Sequence, residues 1–505
     1  MRQLKILYTS DTHGHIFPWN YGTGEKQAEG LLSLEKIFEK DGNTLIIDGG
    51  DTTQGSPFTM FTHKLETAKH PIATVMNKGK YDYVTLGNHD FNYGEEHLRK
   101  YLNDLKATCL CGNVVDTAGT LPVKTWEVRV MENGLRVGIV GVVTDYITVW
   151  ERPENIQNLQ FLSPFDVARQ ALTEMEEEKV DLKICLYHGG FEADLRTGEV
   201  LSTTHENIGY KIATELDFDL LLTGHQHMAI EEAIVKDTHI VQPTSNAEHY
   251  LEVTVDFSEK EKKISSMFKT GTTDFDDTDL DEVLTLEKEV QTWLDTPVGH
   301  LSEPLLPDTK AMMALCGSPI ADFFNQIQLE VTGADISCTS LGNDIKGFDE
   351  DVTVRDVVST YIFPNTLCVI EVTGLILKQA LERTASYLRW SNCGTVEVSK
   401  SFVYPKVEHF NYDYFANVTF DVDLRKTIGS RVSNIKVRGK DVQPADTFSL
   451  VMNNYRTTGA GGYECYIGCP LLKEGTTELA ELIINYLEEK KFVDLQKFEP
   501  PNYKA

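Results

Sequence analysis

Five short apolar runs in the first half of this chain end on the same kind of residue: an Asp, Asn or His with glycine beside it or close by. The runs are 4–9, 44–47, 83–86, 182–187 and 218–222, and a sixth, 136–143, lacks such an ending. All are rich in Ile, Val, Leu and Tyr and have the length of strands. Between them, 27–39, 93–105, 164–178 and 206–216 space their apolar residues as helices do. Strands alternating with helices predict a layered α/β domain. In open α/β sheets ligand sites gather beyond the carboxyl ends of strands. Residues as far apart in sequence as Asp11 and His227 are therefore expected to meet at one edge of one sheet.

The endings have a common chemistry. They are Asp11-x-His13, Gly49-Gly50-Asp51, Gly87-Asn88-His89-Asp90, His188-Gly189-Gly190 and Gly224-His225-x-His227. Divalent cations of intermediate hardness take mixed oxygen and nitrogen ligands, and one carboxylate can bridge two of them. Glycine lets the backbone turn tightly and approach a ligand closely. A lone Asp-x-His or His-Gly-Gly is more often structural than functional. Five such blocks in this order, each at a strand end, point to a metal site where no single block does.

The second half has a different texture. After a closing strand at 253–257 comes a charged stretch and the acidic run 274–282. Leu280, Val283, Leu286, Val290 and Leu294 then recur at helical spacing, which reads as a linker helix, the other reading being a surface helix of the first domain. Helices are expected at 319–331, 354–361, 375–389 and 477–490, and strands at 336–339, 367–373, 418–423, 435–437 and 448–453. Arg438-Gly439-Lys440 reads as a hairpin turn. The division expected is 1–272 for an α/β domain, 273–300 for the linker helix and 301–505 for an α+β domain.

Charge narrows the partners. Lys and Arg number 47 against 77 Asp and Glu, a net −30 over 505 residues. Such a surface repels nucleic-acid polymers and anionic membranes. It leaves a small anionic substrate open, because bound metal reverses the sign within one cleft. The first residues show no apolar signal core, and no run is long enough to span a bilayer, so a cytoplasmic protein is expected. The nine cysteines lack metal-motif or redox-motif spacing and are expected to be free thiols.

These blocks resemble the signature of calcineurin-like metallophosphoesterases. More narrowly, the whole chain is similar to the bacterial 5′-nucleotidase and 2′,3′-cyclic-nucleotide 2′-phosphodiesterase/3′-nucleotidase family. That resemblance implies an α/β layered metallophosphoesterase domain followed by an α+β 5′-nucleotidase C-terminal domain that binds the nucleotide. It implies two divalent cations, Mn, Zn, Fe or Co. Asp11, His13 and His227 would hold one, Asn88, His188 and His225 the other, with Asp51 between them. A hydroxide held by the metals would attack phosphorus. His89 would stabilise the developing charge or protonate the leaving oxygen.

Two departures stand out. Position 227 is His where several 5′-nucleotidases have Gln; both can ligate. Position 92 is Asn where some 5′-nucleotidases place an Asp that orients the catalytic His, and in this the chain resembles the cyclic-nucleotide branch. Asp90 is left either to orient His89 or to support the loop. The isolated His15, Asp145, His205 and His249 take a structural role by default.

For the substrate, the resemblance implies that Phe410 and Tyr455 sandwich a nucleobase, with Asn454 and Arg456 near the sugar or base. Every base has a π-face, so stacking tolerates base identity. The family's arginine-rich loop is shortened here at 340–347, with Lys346 its main cation. Related enzymes rotate the second domain to deliver substrate. Two other readings compete: a nucleotide-sugar or dinucleotide pyrophosphatase, and a non-catalytic nucleotide- or metal-binding module.

Overall fold

A computed structural model describes residues 2–504 apart from 203, 259–261, 362, 364, 392 and 393. The chain divides into two compact units, Met1–Val290 and Gln291–Ala505.

The first unit is built on two sheets. Arg2–Thr9 lies beside Thr44–Asp48 in parallel, so that Thr9 is level with Asp48. The seven-stranded sheet continues through Tyr83–Val84, Thr108–Leu110 and Val123–Lys124 on that side. On the other side lie His249–Phe257 and Lys262–Thr270. A second, six-stranded sheet holds Arg136–Val143, Leu182–His188, Leu220–Thr223 and Thr238–Gln242 in parallel, with Trp126–Val130 and Ile230–Val235 antiparallel at its edges.

Alternation of side chains along a strand sorts residues between faces. Leu4, Ile6 and Tyr8 of the first sheet pack with Val137, Ile139, Ile184, Leu186 and Leu222 of the second, making the core between the sheets. The outer face of the second sheet, with Val140, Val142, Cys185 and Tyr187, receives Ala168, Ala171, Leu172 and Met175 of the helix Pro164–Glu177. That helix starts at Ser163, whose side chain accepts from the backbone N–H of Asp166, and has Pro164 in its first turn.

The strands that end in candidate ligands therefore belong to two sheets, not to one as the alternation suggests. Pattern gives strands but not sheet membership, and here the apolar faces of both sets close on each other. The helix expected at 27–39 is only Leu31–Glu35, preceded by Gly30 at φ 81°. The charged stretch after Phe257 includes the strand Lys262–Thr270, paired along its length with His249–Phe257. It reads as a loop in sequence because one of its faces is solvated.

The helix expected as a linker is Asp281–Leu294. Its residues as far as Val290 belong to the first unit, where Glu287 accepts hydrogen bonds from Trp19 Nε1 (3.0 Å) and the Tyr21 hydroxyl (2.9 Å).

In the second unit a five-stranded sheet runs in the order Asp413–Ala416, Ile336–Ser340, Thr447–Asn453, Thr366–Thr373, Leu471–Glu478. A four-stranded sheet joins Val418–Asp423 and Val432–Val437 to short strands at Lys440–Asp441 and Asn502–Lys504. Ile336, Ile370, Leu377, Leu381, Phe420, Val422 and Leu450 are buried together, so both sheets share a core with the helix Gly374–Ala385. Arg438 and Gly439, at φ 49° and 76°, make the two-residue turn of a hairpin. The helix expected at 375–389 stops at Ala385, and Leu388–Trp390 pairs instead with Val396–Val398.

Among the described residues no helix is long and apolar enough to cross a membrane. Eight of the nine cysteines are described, all as free thiols; Cys393 lies outside the described residues.

Candidate metal centre

The five strand endings converge. Asp11, His13 and His227 form one group whose ligand atoms lie within 4.8 Å of one another, and Asp51, His188 and His225 form a second. Backbone hydrogen bonds lock the first two endings together: Asp11 N donates to Gly50 O, and His13 N to Asp51 O, both at 2.9 Å. The Asp11 carboxylate ties in the fifth ending by accepting from His225 N at 2.8 Å. The Asp51 carboxylate ties in the third by accepting from His89 N at 2.7 Å.

The backbone here is strained. Asp11, His13, Asp51, His225 and His227 have φ of 55°, 49°, 54°, 70° and 54°. The left-handed region costs an ordinary residue roughly 1–2 kcal/mol. Such conformations persist where the surroundings over-determine them, and they concentrate at functional sites. Glycine completes the packing at Gly87, where an added Cβ would lie 2.1 Å from Asp51 Oδ1.

Three of the four imidazoles are held at their other nitrogen. A carbonyl oxygen can only accept, so His13 Nδ1 donates to Gln54 O (3.0 Å) and His188 Nδ1 to Gly49 O (2.6 Å). That turns both Nε2 atoms into the site. His225 is turned the other way round: its Nε2 lies 3.1 Å from Glu206 Oε1, and its Nδ1 is 2.8 Å from Asn88 Oδ1. Trp150 stacks on the His225 ring at 5.5 Å.

The donor set fits a pair of cations. His13 Nε2 and His227 Nε2 face each other at 3.2 Å, and His227 Nε2 is also 3.2 Å from Asp11 Oδ1. Fully buried His188 Nε2 sits 3.1 Å from Asp51 Oδ2 yet makes no hydrogen bond. Buried polar atoms without partners are uncommon in folded proteins. A shared cation satisfies both the nitrogen and the carboxylate, and orienting contacts on the far ring nitrogen are what metal-binding histidines characteristically have.

Electrostatics agrees. Burial drives His13 down to about 3, which keeps its lone pair free. Burial also opposes the charged form of His188, but the Asp51 carboxylate outweighs it and raises the pKa to about 10. Against burial, His188 and His89 hold Asp51 well below the carboxylate range, and His227 does the same for Asp11. A cation held beside Asp51 would take the place of the proton on His188.

His89 stands beside the two groups, its ring 5.4 Å from that of His13. Its Nδ1 contacts Asn92 Oδ1 at 2.8 Å. Asp90, expected as a possible orienting partner, is not one. Its two oxygens accept from the backbone N–H of Asp51, Thr52, Thr53 and Gly87 and from the Thr53 hydroxyl, at 2.8–3.0 Å. It is buried and supports the loop that carries Asp51.

In the second unit one of the four expected substrate contacts, Arg456, is spent on the fold. Buried Arg456 gives Nη2 to Asp413 Oδ1 (2.8 Å) and Phe410 O (2.9 Å), and Nη1 to Ala460 O (2.8 Å). Its guanidinium lies 4.5 Å from the Tyr463 ring centroid. It ties the 410–413 segment to the 456–460 turn and is not free to meet a sugar. Asn454 Oδ1 accepts from Thr366 N at 3.0 Å. Lys346 is paired with Asp356 at 3.0 Å. Phe410 and Tyr455 are half-buried, and Phe363 stands edge-on to Phe410 at 6.0 Å.

Sequence reasoning missed Glu206, Trp150, Glu151 and Phe363. All four lie outside the glycine-flanked blocks, and no spacing marks them. Asn92 was visible as a departure from the family pattern, without its partner.

Fold and donor set together define a class, the metal-dependent phosphoesterases. Residues 4–229 match the family model of the calcineurin-like phosphoesterases, and residues 297–467 match that of the 5′-nucleotidase C-terminal domain. A solved Staphylococcus aureus protein, described as a candidate 5′-nucleotidase, is 33% identical over the full length of both chains, with a TM-score of 0.91. The chain belongs to the 5′-nucleotidase family of calcineurin-like phosphoesterases.

More distant relatives are named for their reactions. The 2′,3′-cyclic-nucleotide 2′-phosphodiesterase/3′-nucleotidase of Yersinia enterocolitica is 23% identical over 90% of this chain and 80% of its own length. The trifunctional nucleotide phosphoesterase of Bacillus subtilis is 24% identical over 97% of this chain, which spans only 38% of that relative's length.

Proposed function

We propose that this protein is a dinuclear-metal hydrolase of nucleotide phosphate esters, taking 2′,3′-cyclic nucleotides and 3′- or 5′-nucleotides. One observation carries the reading: six Asp and His side chains gather in two clusters from strand endings, with Asn88 against His225, and five of the six are held in left-handed backbone. Asp11, His13 and His227 would hold one cation, Asn88, His188 and His225 the other, with Asp51 between them. The mixed imidazole, carboxylate and amide set suits Mn, Zn, Fe or Co. Bound cations supply charge neutralisation at the phosphate and activation of a water molecule near neutral pH.

The chain's own residues do the rest. Asp51 and the contacts behind the ligands hold the two groups at fixed spacing. His89 sits beside the first group with Nδ1 engaged, leaving Nε2 to give a proton to the departing ribose oxygen. Phe410 and Tyr455, with Phe363 at the edge of Phe410, offer stacking faces for a base. Arg456 holds the segment that carries Phe410. Relatives named for cyclic-nucleotide and nucleotidase activities support this choice of substrate.

The test is metal analysis of the purified protein together with chromatography of the products formed from 2′,3′-cyclic AMP, 3′-AMP, 5′-AMP and a UDP-sugar, since the cyclic ester opens to a monoester and the UDP-sugar splits into two monoesters without releasing phosphate. Bound divalent metal and turnover of at least one nucleotide ester are expected. Turnover of the UDP-sugar alone moves the assignment to a pyrophosphatase. No turnover with any of the four metals supplied defeats the enzymatic reading.

A further inference from the structure

His89 is held by a chain of hydrogen bonds that leads away from the metal centre. Its Nδ1 lies 2.8 Å from Asn92 Oδ1, and Asn92 Nδ2 donates to Glu151 Oε2 at 2.6 Å. Glu151 is itself fixed: its Oε1 accepts from Arg152 N and from Asn155 Nδ2, both at 2.8 Å. Asn155 Nδ2 also donates to the backbone carbonyl of Asn92, at 2.9 Å. Four residues from two segments, 89–92 and 151–155, thus close on one another.

The direction of the chain follows from what each group can do. An ionised carboxylate only accepts, so Glu151 forces the Asn92 amide to turn its NH2 outward. The amide oxygen then faces His89. That oxygen only accepts, so His89 Nδ1 carries a proton in every state of the ring. Proton exchange on the substrate side is left to Nε2 alone. Without Glu151 the amide can flip, and a flipped amide presents NH2 to Nδ1 and favours the wrong tautomer.

We propose that Glu151 is a positioning residue for phosphoester hydrolysis, fixing the tautomer and rotamer of His89 through the Asn92 amide. The proposal rests on the reading of His89 as the acid that protonates the leaving oxygen. Asn92 and Glu151 together do here what an Asp at position 92 would do by direct contact. The carboxylate is one residue removed from the ring.

The test compares two substrates on the metal-loaded enzyme. A nucleotide has a poor leaving group that needs a proton; bis(p-nitrophenyl) phosphate has a good one that does not. Glu151→Ala is expected to lower kcat on the nucleotide by about 10–100-fold with KM unchanged, and to leave the p-nitrophenyl ester nearly unaffected. Asn92→Asp alone sets two carboxylates against each other and loses rate in the same way. Adding Glu151→Gln to Asn92→Asp restores it, because the new amide NH2 donates to the new carboxylate while its oxygen still serves Arg152 and Asn155. Histidine 15N NMR of the metal-free protein reads the tautomer without turnover: Nδ1-protonated His89 in the wild type, a mixture in Glu151→Ala. Equal losses on both substrates, or no recovery in the double variant, overturn the proposal. A wild type that hydrolyses neither ester defeats the assigned function instead, and the NMR comparison still decides the role of Glu151.

Discussion

His188 in the first unit and Arg456 in the second are equally buried, yet they spend their polar atoms differently. His188 uses Nδ1 on a backbone carbonyl and leaves Nε2 beside Asp51 without a hydrogen bond. Arg456 uses both terminal nitrogens on Asp413 and on the carbonyls of Phe410 and Ala460, and only Nε lacks a partner. The same contrast separates the regions around them. At the strand endings, outward-facing ring nitrogens are tied down so that inward-facing ones stay available. Around Arg456 the polar atoms bind the fold to itself, and half-buried aromatic rings are what remains to meet a ligand. A polar residue in a motif is a functional candidate only to the extent that its donors and acceptors are left over after folding.

Substitutions can break this contrast. The largest effect is expected from Asp51→Ala, which removes the carboxylate proposed to lie between the two cations; metal content falls and phosphate release disappears, while melting of the second unit stays as it was. Metal analysis beside the activity assay checks it, and retained metal with full rate would refute the role given to Asp51.

Arg456→Met is expected to do the reverse. Losing one partner of a buried ion pair costs about 3–5 kcal/mol, so the second unit unfolds at lower denaturant while bound metal is unchanged. An Arg456 whose loss changed only KM would be a substrate contact after all.

Tyr455→Ala should have a smaller and purely substrate-directed effect. Removing a stacking face is worth about 1–3 kcal/mol, seen as a higher KM for nucleotides and no change with ribose 5-phosphate, which has no base to stack. An equal effect on both substrates would return Tyr455 to the core.

The mildest effect concerns acid. Burial holds His15 and His97 at about 4 and His70 well below its ordinary value, all in the first unit. Between about pH 6.5 and 4 the unfolded chain binds protons that these folded groups refuse. Their contribution to stability is present above the unfolded value and is lost as pH falls through that window. The midpoint of the first unit should therefore drop on acidification more than that of the second, and His97→Asn should flatten the slope. Parallel shifts in both units would show that other groups dominate.

Much of this was legible beforehand. The strands at 136–143 and 418–423 have the bounds read from the apolar pattern, the first because it is buried almost throughout and the second because buried and half-buried residues alternate along its whole length. The five glycine-flanked blocks could be picked out because tight turns admit few neighbours, and the structure brings Asp11, His13, Asp51, His188, His225 and His227 of those blocks into two clusters. The edge strand Lys262–Thr270 was not legible, since its exposed face removes the apolar signal. Glu151 was not legible either, since a single Glu in a loop has no pattern around it.

What the sequence alone determined is local: which runs become strands, where they stop, and which side chains wait at the stops. Those features depend on the order of apolar, glycine and polar residues over a few positions, where period and turn chemistry act. The tertiary structure decided everything that needs two distant segments at once. It assigned the strands to two facing sheets, committed Asp90 and Arg456 to the fold, and set Glu151 behind Asn92. Side chains make such pairings only when packing brings their backbones together, and no spacing along the chain records that.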